Sequence, residues 1–249
     1  MMARPVVVIG ITRKGVICAF LGLIVVGLMA TSFGRWRDFR PTSGLLRERI
    51  SGRLIVIDPG HGGYDPGAVS VHGALEKDIV LAIAEHLGRL LNQASIYTLF
   101  TRDGDNIKHP IPNGGLINRK RQDLIGRVDM ANKAEADLFI SIHCNSFPQS
   151  IWSGAQVFFY PGREESKRLA IAIQTELVKR LGPNRRQANA GDYRVLKDTR
   201  MPAVMVEVGF LSNPKEAKLL VDPTYQERVA NSIYHGILRY YQSSNILRR

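Results

Sequence analysis

The sequence predicts a single α/β domain, a twisted and mostly parallel sheet flanked by helices, preceded by one N-terminal transmembrane helix. Three observations carry that prediction. From residue 53 onward, short apolar runs alternate with longer stretches of helical spacing. The runs are continuous rather than alternating, as expected of strands buried on both faces. At the front, residues 15–34 ("GVICAFLGLIVVGLMATSFG") hold no charged side chain and are about as long as a helix must be to cross a bilayer.

The elements follow in order. Residues 1–14 form a short basic segment, with Arg13 and Lys14 ahead of the apolar run and Arg35, Arg37 and Arg40 behind it. The basic residues at the two ends are too evenly matched for the positive-inside rule to set an orientation. Leu28-Met29-Ala30 is a poor small-x-small exit site, so an uncleaved anchor is expected over a signal peptide. The alternative is a secreted protein released by cleavage. Residues 35–52, rich in Arg, Ser and Gly, read as a tether, and residues 53–245 as the catalytic domain.

Within that domain Leu54 to Ile57 is the first strand. A helix begins near Glu76, with Ile79, Ile83, Leu87 and Leu90 or Leu91 on one stripe. "SIYTLFTR" (95–102) is a second strand, and a polar insertion (103–115) leads to a helix carrying Leu124, Val128 and Ala131. "ADLFISIH" (136–143) and "GAQVFFY" (154–160) are the third and fourth strands. A helix with Leu169, Ile173, Leu177 and Leu181 follows. "YRVLK" (193–197) reads as a short strand and "PAVMVEVG" (202–209) as a buried one. The chain closes on a helix with Val229, Ile233, Ile237 and Tyr240 aligned.

The chain has 249 residues, 45% of them hydrophobic, enough for one domain of ordinary size plus an appendage. Its formal net charge of +12 favours an anionic polymer or surface as partner. No zinc-finger spacing, aromatic RNA-binding signature or basic recognition helix is present, which argues against nucleic acid. Cys18 and Cys144 supply neither a disulfide framework nor a CxxC motif.

In an open parallel sheet, ligands bind beyond the carboxyl ends of the strands. His61 lies just past the first strand in "IVIDPGHGG", His143 ends the third, Glu207 ends the late strand in "VMVEVGF", and Glu76 opens the first helix at the same edge. Two histidines and one carboxylate make a typical catalytic zinc set, and the remaining carboxylate can act as a base. A strand that ends in a buried Glu needs a metal or a reacting proton to offset the burial. Next to His143, Cys144 should point to the opposite face as a small buried residue. His72 sits in a loop and is not expected to be a ligand. His86, His109 and His235 are expected to be solvated. In "GFLSNP", Ser212 or Asn213 should cap the next helix.

"IVIDPGHGG", "LEKDIVLAIA", "RVDMANKAEADLFISIHCNS" and "VMVEVGFLSNP", in that order from residue 53 to 242, resemble the successive signatures of the zinc-dependent N-acetylmuramoyl-L-alanine amidases. The single anchor, "WSGAQVFFY" and "VANSIYHGILRYY" are most similar to that family's spore-cortex branch. The resemblance implies one Zn2+ held by His61, Glu76 and His143, with Glu207 as the catalytic carboxylate. Cys144 departs from the small residue most members carry there. Arg127 and Asn132 match the family's "R…AN" pattern and are candidates for substrate contact or for support of the sheet edge. The implied reaction cuts the amide between the lactyl group of N-acetylmuramic acid and L-alanine in peptidoglycan. For a spore-cortex enzyme this precedes muramic-δ-lactam formation, completed by a separate muramic deacetylase. The implied location is outside the cytoplasm, in the forespore intermembrane space, and some relatives work with a lipoprotein partner. Two other readings fit the same residues: a zinc peptidase acting within the stem peptide, and a catalytically silent peptidoglycan-binding protein.

Overall fold

A computed structural model describes residues 50–111 and 114–243. The expected membrane span at 15–34 lies outside the described residues. Among the described residues no helix is long and apolar enough to cross a membrane.

The frame is a six-stranded sheet. Its strands are β1 (Leu54–Pro59), β2 (Tyr97–Phe100), β5 (Leu138–Asn145), β6 (Gln156–Phe159), β7 (Asn189–Ala190) and β8 (Ala203–Phe210). They run in the order β2-β1-β5-β8-β6-β7. The pairs β2/β1, β1/β5 and β5/β8 are parallel, and β6 turns antiparallel against β8. The expected mostly parallel sheet is therefore present. The polar insertion folds into a two-stranded hairpin of β3 (Arg102–Asp103) and β4 (Asn106–Ile107).

Among the described residues four helices are as the sequence spacing predicts, α1 (Glu76–Gln93), α2 (Leu116–Lys133), α3 (Glu164–Leu181) and α6 (Pro223–Ser243), and the short α5 (Pro214–Leu220) is the helix expected after the cap in "GFLSNP". The exception is "YRVLK", expected as a strand. Its residues Arg194–Lys197 form one helical turn, α4. A strand would send Val195 and Leu196 to opposite faces, whereas both are buried in one apolar cluster. Arg194 also pairs with Asp198, four residues on, at 3.2 Å, the neighbour spacing of a helix face.

Alternation along the central strands sorts their side chains onto two faces. Ile55 and Ile57 of β1, Ile140 and Ile142 of β5, and Val204 and Val206 of β8 all join the larger core. There they meet Ile83 and Leu87 of α1, Leu169 and Ile173 of α3, and Ile233 and Ile237 of α6. Ile50, ahead of the expected boundary, is fully buried in the same core. The opposite parity gives Val56, Phe139, Ala203 and Met205, which pack with Val128 and Ala131 of α2 and with Val195 and Leu196. Continued toward the carboxyl ends, that second set becomes Asp58, Ser141, His143 and Glu207. One face is apolar along its length; the other turns polar at the edge where the connecting loops gather.

Candidate metal centre

Strand register places His143 beside Glu207, and Asp58 beside Ser141. His61 reaches the same edge from the turn after β1, and Glu76 from the first residue of α1. Glu76 Oε1 lies 3.2 Å from His61 Nε2 and 3.1 Å from His143 Nδ1. Donor atoms of the three residues all fall within 4.8 Å of one another. The sequence-predicted ligand set thus converges, although its members are 15 and 67 residues apart in the chain.

The carboxylate of Glu76 is fixed by backbone donors on both oxygens. Its Oε1 accepts the backbone N–H of Cys144 at 2.8 Å, and its Oε2 that of Ala68 at 2.8 Å. Two glycines make room. A Cβ on Gly60 would stand 2.2 Å from the His143 ring, and one on Gly67, at φ +70°, would stand 2.6 Å from Glu76 Oε2. The flexible turn that ends "IVIDPGHGG" is therefore a requirement of space around the imidazoles.

Two buried guanidiniums hold that turn. Arg127 Nη1 donates to Asp58 Oδ1 at 2.7 Å and to the Pro59 carbonyl at 2.9 Å, and Nη2 to the His61 carbonyl. Asp123 accepts from Arg127 Nε at 3.0 Å. Arg102, fully buried, donates to the carbonyls of Pro59, Gly60 and Lys77. Asp58 is fully satisfied, taking Thr101 Oγ1 on one oxygen and Ser141 Oγ on the other, each at 2.7 Å. Burial pushes the Asp58 carboxyl up, but Arg127 and these hydroxyls outweigh it and hold it below the usual range.

The remaining candidates are placed as follows. Cys144 is buried on the apolar face, as its parity predicts, and burial lifts its thiol well above the ordinary value. Asn132 bonds the loop after α4 through the Asp198 carbonyl and the Arg200 N–H. Arg127 lines the cleft beside His61 and His143, a space of about 190 Å³. His72 is exposed, and Asn213 caps α5 by accepting from the backbone N–H of Lys215 and Glu216. His109, expected to be solvated, is instead inserted against α2. Its side chain is 7% exposed and occupies the notch left by Gly126. Its Nε2 is 3.0 Å from Asp123 Oδ1 but off the line a hydrogen bond needs. His86 and His235 are half-buried on α1 and α6, and His86 Nδ1 lies 2.8 Å from Arg89 Nη2 on the exposed side of its helix.

The two glutamates of the site are driven in opposite directions. Burial pushes Glu76 up, but the His143 and His61 hydrogen bonds win and hold it far below the usual carboxylate range. Glu207 has no such bonds. Its Oε2 is buried without a partner, and burial lifts its pKa to about 7, with nearby Glu76 adding and His143 opposing. Such a divergence separates a permanent anion from a group that can exchange a proton near neutral pH. His61 is pushed down by burial and lifted more strongly by Glu76 and Asp65, so its pKa ends raised.

Sequence reasoning passed over Asp58, Arg102 and Asp65. The signal for Asp58 was its parity with Val56, since a charged residue at a buried strand position demands a cation partner.

The donor set of two imidazoles and one pre-fixed carboxylate, beside an unpartnered buried acid, fits a catalytic zinc ion. Residues 55–239 match the family described as N-acetylmuramoyl-L-alanine amidase. A germination-specific N-acetylmuramoyl-L-alanine amidase of Bacillus subtilis (strain 168) is 44% identical, over 77% of this chain and 81% of that protein. Among solved structures, the CwlD amidase of Clostridioides difficile, determined in complex with the GerS lipoprotein, superposes with a TM-score of 0.74 at 38% identity. That match covers 77% of this chain and 99% of that one. The catalytic domain of CwlV, an N-acetylmuramoyl-L-alanine amidase from Bacillus (Paenibacillus) polymyxa var. colistinus, gives 0.67 at 33% identity, covering 76% and 98%. On the family match and these identities, the chain belongs to the N-acetylmuramoyl-L-alanine amidases.

Proposed function

We propose that the chain hydrolyses the amide joining the lactyl group of N-acetylmuramic acid to the L-alanine of the stem peptide in peptidoglycan. The observation that carries this reading is the convergence of His61, Glu76 and His143 next to the buried, unpartnered carboxyl of Glu207. His61, Glu76 and His143 would hold a zinc ion, which when bound acidifies water and polarises a carbonyl oxygen. Glu207 takes the proton from the attacking water on its carboxylate and returns it to the departing amine, acting as base and then as acid. A carboxyl lifted toward neutrality suits both halves of that exchange. Glu76, held as an anion by the His143 and His61 imidazoles and fixed in place by two backbone N–H donors, serves as a ligand and takes no proton. Arg127 and Arg102 keep the His61 turn in place.

The likeness to a germination-specific enzyme and to CwlD supports a narrower role: stripping stem peptides from spore cortex ahead of muramic-δ-lactam formation, with a deacetylase acting next. Peptidoglycan lies outside the cytoplasmic membrane, so the catalytic domain works there, anchored through residues 15–34. A lipoprotein partner is proposed on the same likeness. The test is mass spectrometry of peptidoglycan digested by the purified full chain. Lactyl groups freed of peptide and intact stem peptides, both abolished by a chelator and restored by zinc, are the expected products. Cleavage inside the stem peptide would replace this reading with a zinc peptidase, and no products at all would leave a wall-binding protein.

A further inference from the structure

We infer that Asp65 is the positioning residue of His61, fixing the imidazole so that Nε2 faces the metal position, with Lys120 of α2 fixing Asp65 in turn. The inference rests on the metal-centre reading above. An imidazole has two nitrogens, and the partner of one decides what the other can do. Here His61 Nδ1 is 3.0 Å from Asp65 Oδ2, while Nε2 is 3.2 Å from Glu76 Oε1. A carboxylate that accepts from Nδ1–H leaves the lone pair on Nε2, inside the cluster of three ligands.

Asp65 is itself tightly held. Its other oxygen accepts from Lys120 Nζ at 3.1 Å and from the backbone N–H of Gly67 at 3.3 Å. Its main chain closes a reciprocal pair of hydrogen bonds with Gly62, at 2.9 and 3.0 Å. The side chain is 13% exposed. The need for such an orienter lies in the turn. His61 sits at φ +60°, a backbone region that side-chain-bearing residues visit rarely, on a loop flanked by glycines. Backbone contacts from Arg127 and Arg102 fix where the turn goes. They leave the rotation of the ring to be set by what its own nitrogens touch. Lys120 carries the restraint across from α2, so the helix that walls the cleft also aims one ligand.

The experiment measures zinc affinity of the full chain by competition with a chromogenic chelator, alongside urea unfolding of the metal-free protein and the visible spectrum of the cobalt-loaded form. Asp65→Ala is expected to weaken zinc binding about 10–100-fold and to shift the cobalt bands, with the metal-free unfolding midpoint nearly unchanged. Asp65→Asn keeps an oxygen that can accept from Nδ1–H, so its loss should be smaller than that of Asp65→Ala. A folded Asp65→Ala that binds zinc within twofold of the parent, with unshifted cobalt bands, overturns the inference. If Asp65→Ala does not fold, Asp65→Asn decides: unchanged affinity and spectrum overturn it, and a shifted spectrum with weakened binding sustains it. Zinc binding is read without substrate, so failure of the amidase reading leaves this result standing, and a parent chain that binds no zinc ends the metal reading itself.

Discussion

The two faces of the central sheet share the same three strands and the same alternation, yet they serve different ends. On one, Ile57, Ile142 and Val206 continue the apolar pattern under α1, α3 and α6 to the carboxyl edge. On the other, Val56, Phe139 and Met205 give way to Asp58, Ser141 and Glu207 one alternation later, and β5 adds His143 at the next. The apolar face gains stability from burial alone. The polar one spends part of that stability on Glu207, which is buried without a bond, and on a salt-bridged turn that only its partners make tolerable. The difference teaches that the site is an interruption of a core, not an addition to its surface, and substitutions on the two faces should separate accordingly.

The largest effect is expected at Glu207. Glu207→Gln should reduce kcat by about 10²–10⁴-fold, the usual contribution of a positioned proton carrier, while zinc content stays near one per chain. Full activity in that variant would remove Glu207 from the chemistry. Next comes the buried turn. Arg127→Met strands the carboxylates of Asp58 and Asp123 without their cation, so urea unfolding should show a loss of about 3–5 kcal/mol, together with weaker zinc binding. On the apolar face, Ile233→Ala should cost about 2–5 kcal/mol and leave zinc affinity as it was. If Ile233→Ala disturbed the metal as much as Arg127→Met does, the two faces would not be separable.

The smallest effect sharpens the comparison most. The Glu207 carboxyl titrates at about 7 in the folded protein against 4.5 as its ordinary value. Its stabilising contribution is complete below 4.5 and is lost as pH rises to about 7, because only the unfolded chain ionises freely in between. Metal-free Glu207→Gln should therefore match the parent at pH 4 and exceed it above pH 7, by at most about 3 kcal/mol. Equal urea midpoints at both pH values would show that Glu207 is not strained by burial.

Much of this was legible in the chain. Continuous apolar runs separated by helical stripes predicted the parallel sheet, and three carboxyl-edge positions plus the start of α1 predicted which side chains would meet. "YRVLK" failed because five residues fit a strand or one helical turn equally well; Val195 and Leu196 settled it by needing the same apolar cluster. His109 failed because a histidine in a polar insertion shows no sign of a notch at Gly126, far along the sequence.

By itself the sequence determined the parity of each strand, and so which residues share a face, because alternation is a local property of the extended backbone. It also determined the kind of chemistry, since residue types fix what can bind a metal or carry a proton. The tertiary structure alone decided that Asp58 would be neutralised by Arg127, that Asp65 would meet the ring of His61 and be tied to α2, and that Glu207 would be left without a bond. Those outcomes depend on distances between side chains brought together by strand order and helix packing, and electrostatic energy in a buried site changes steeply with such distances.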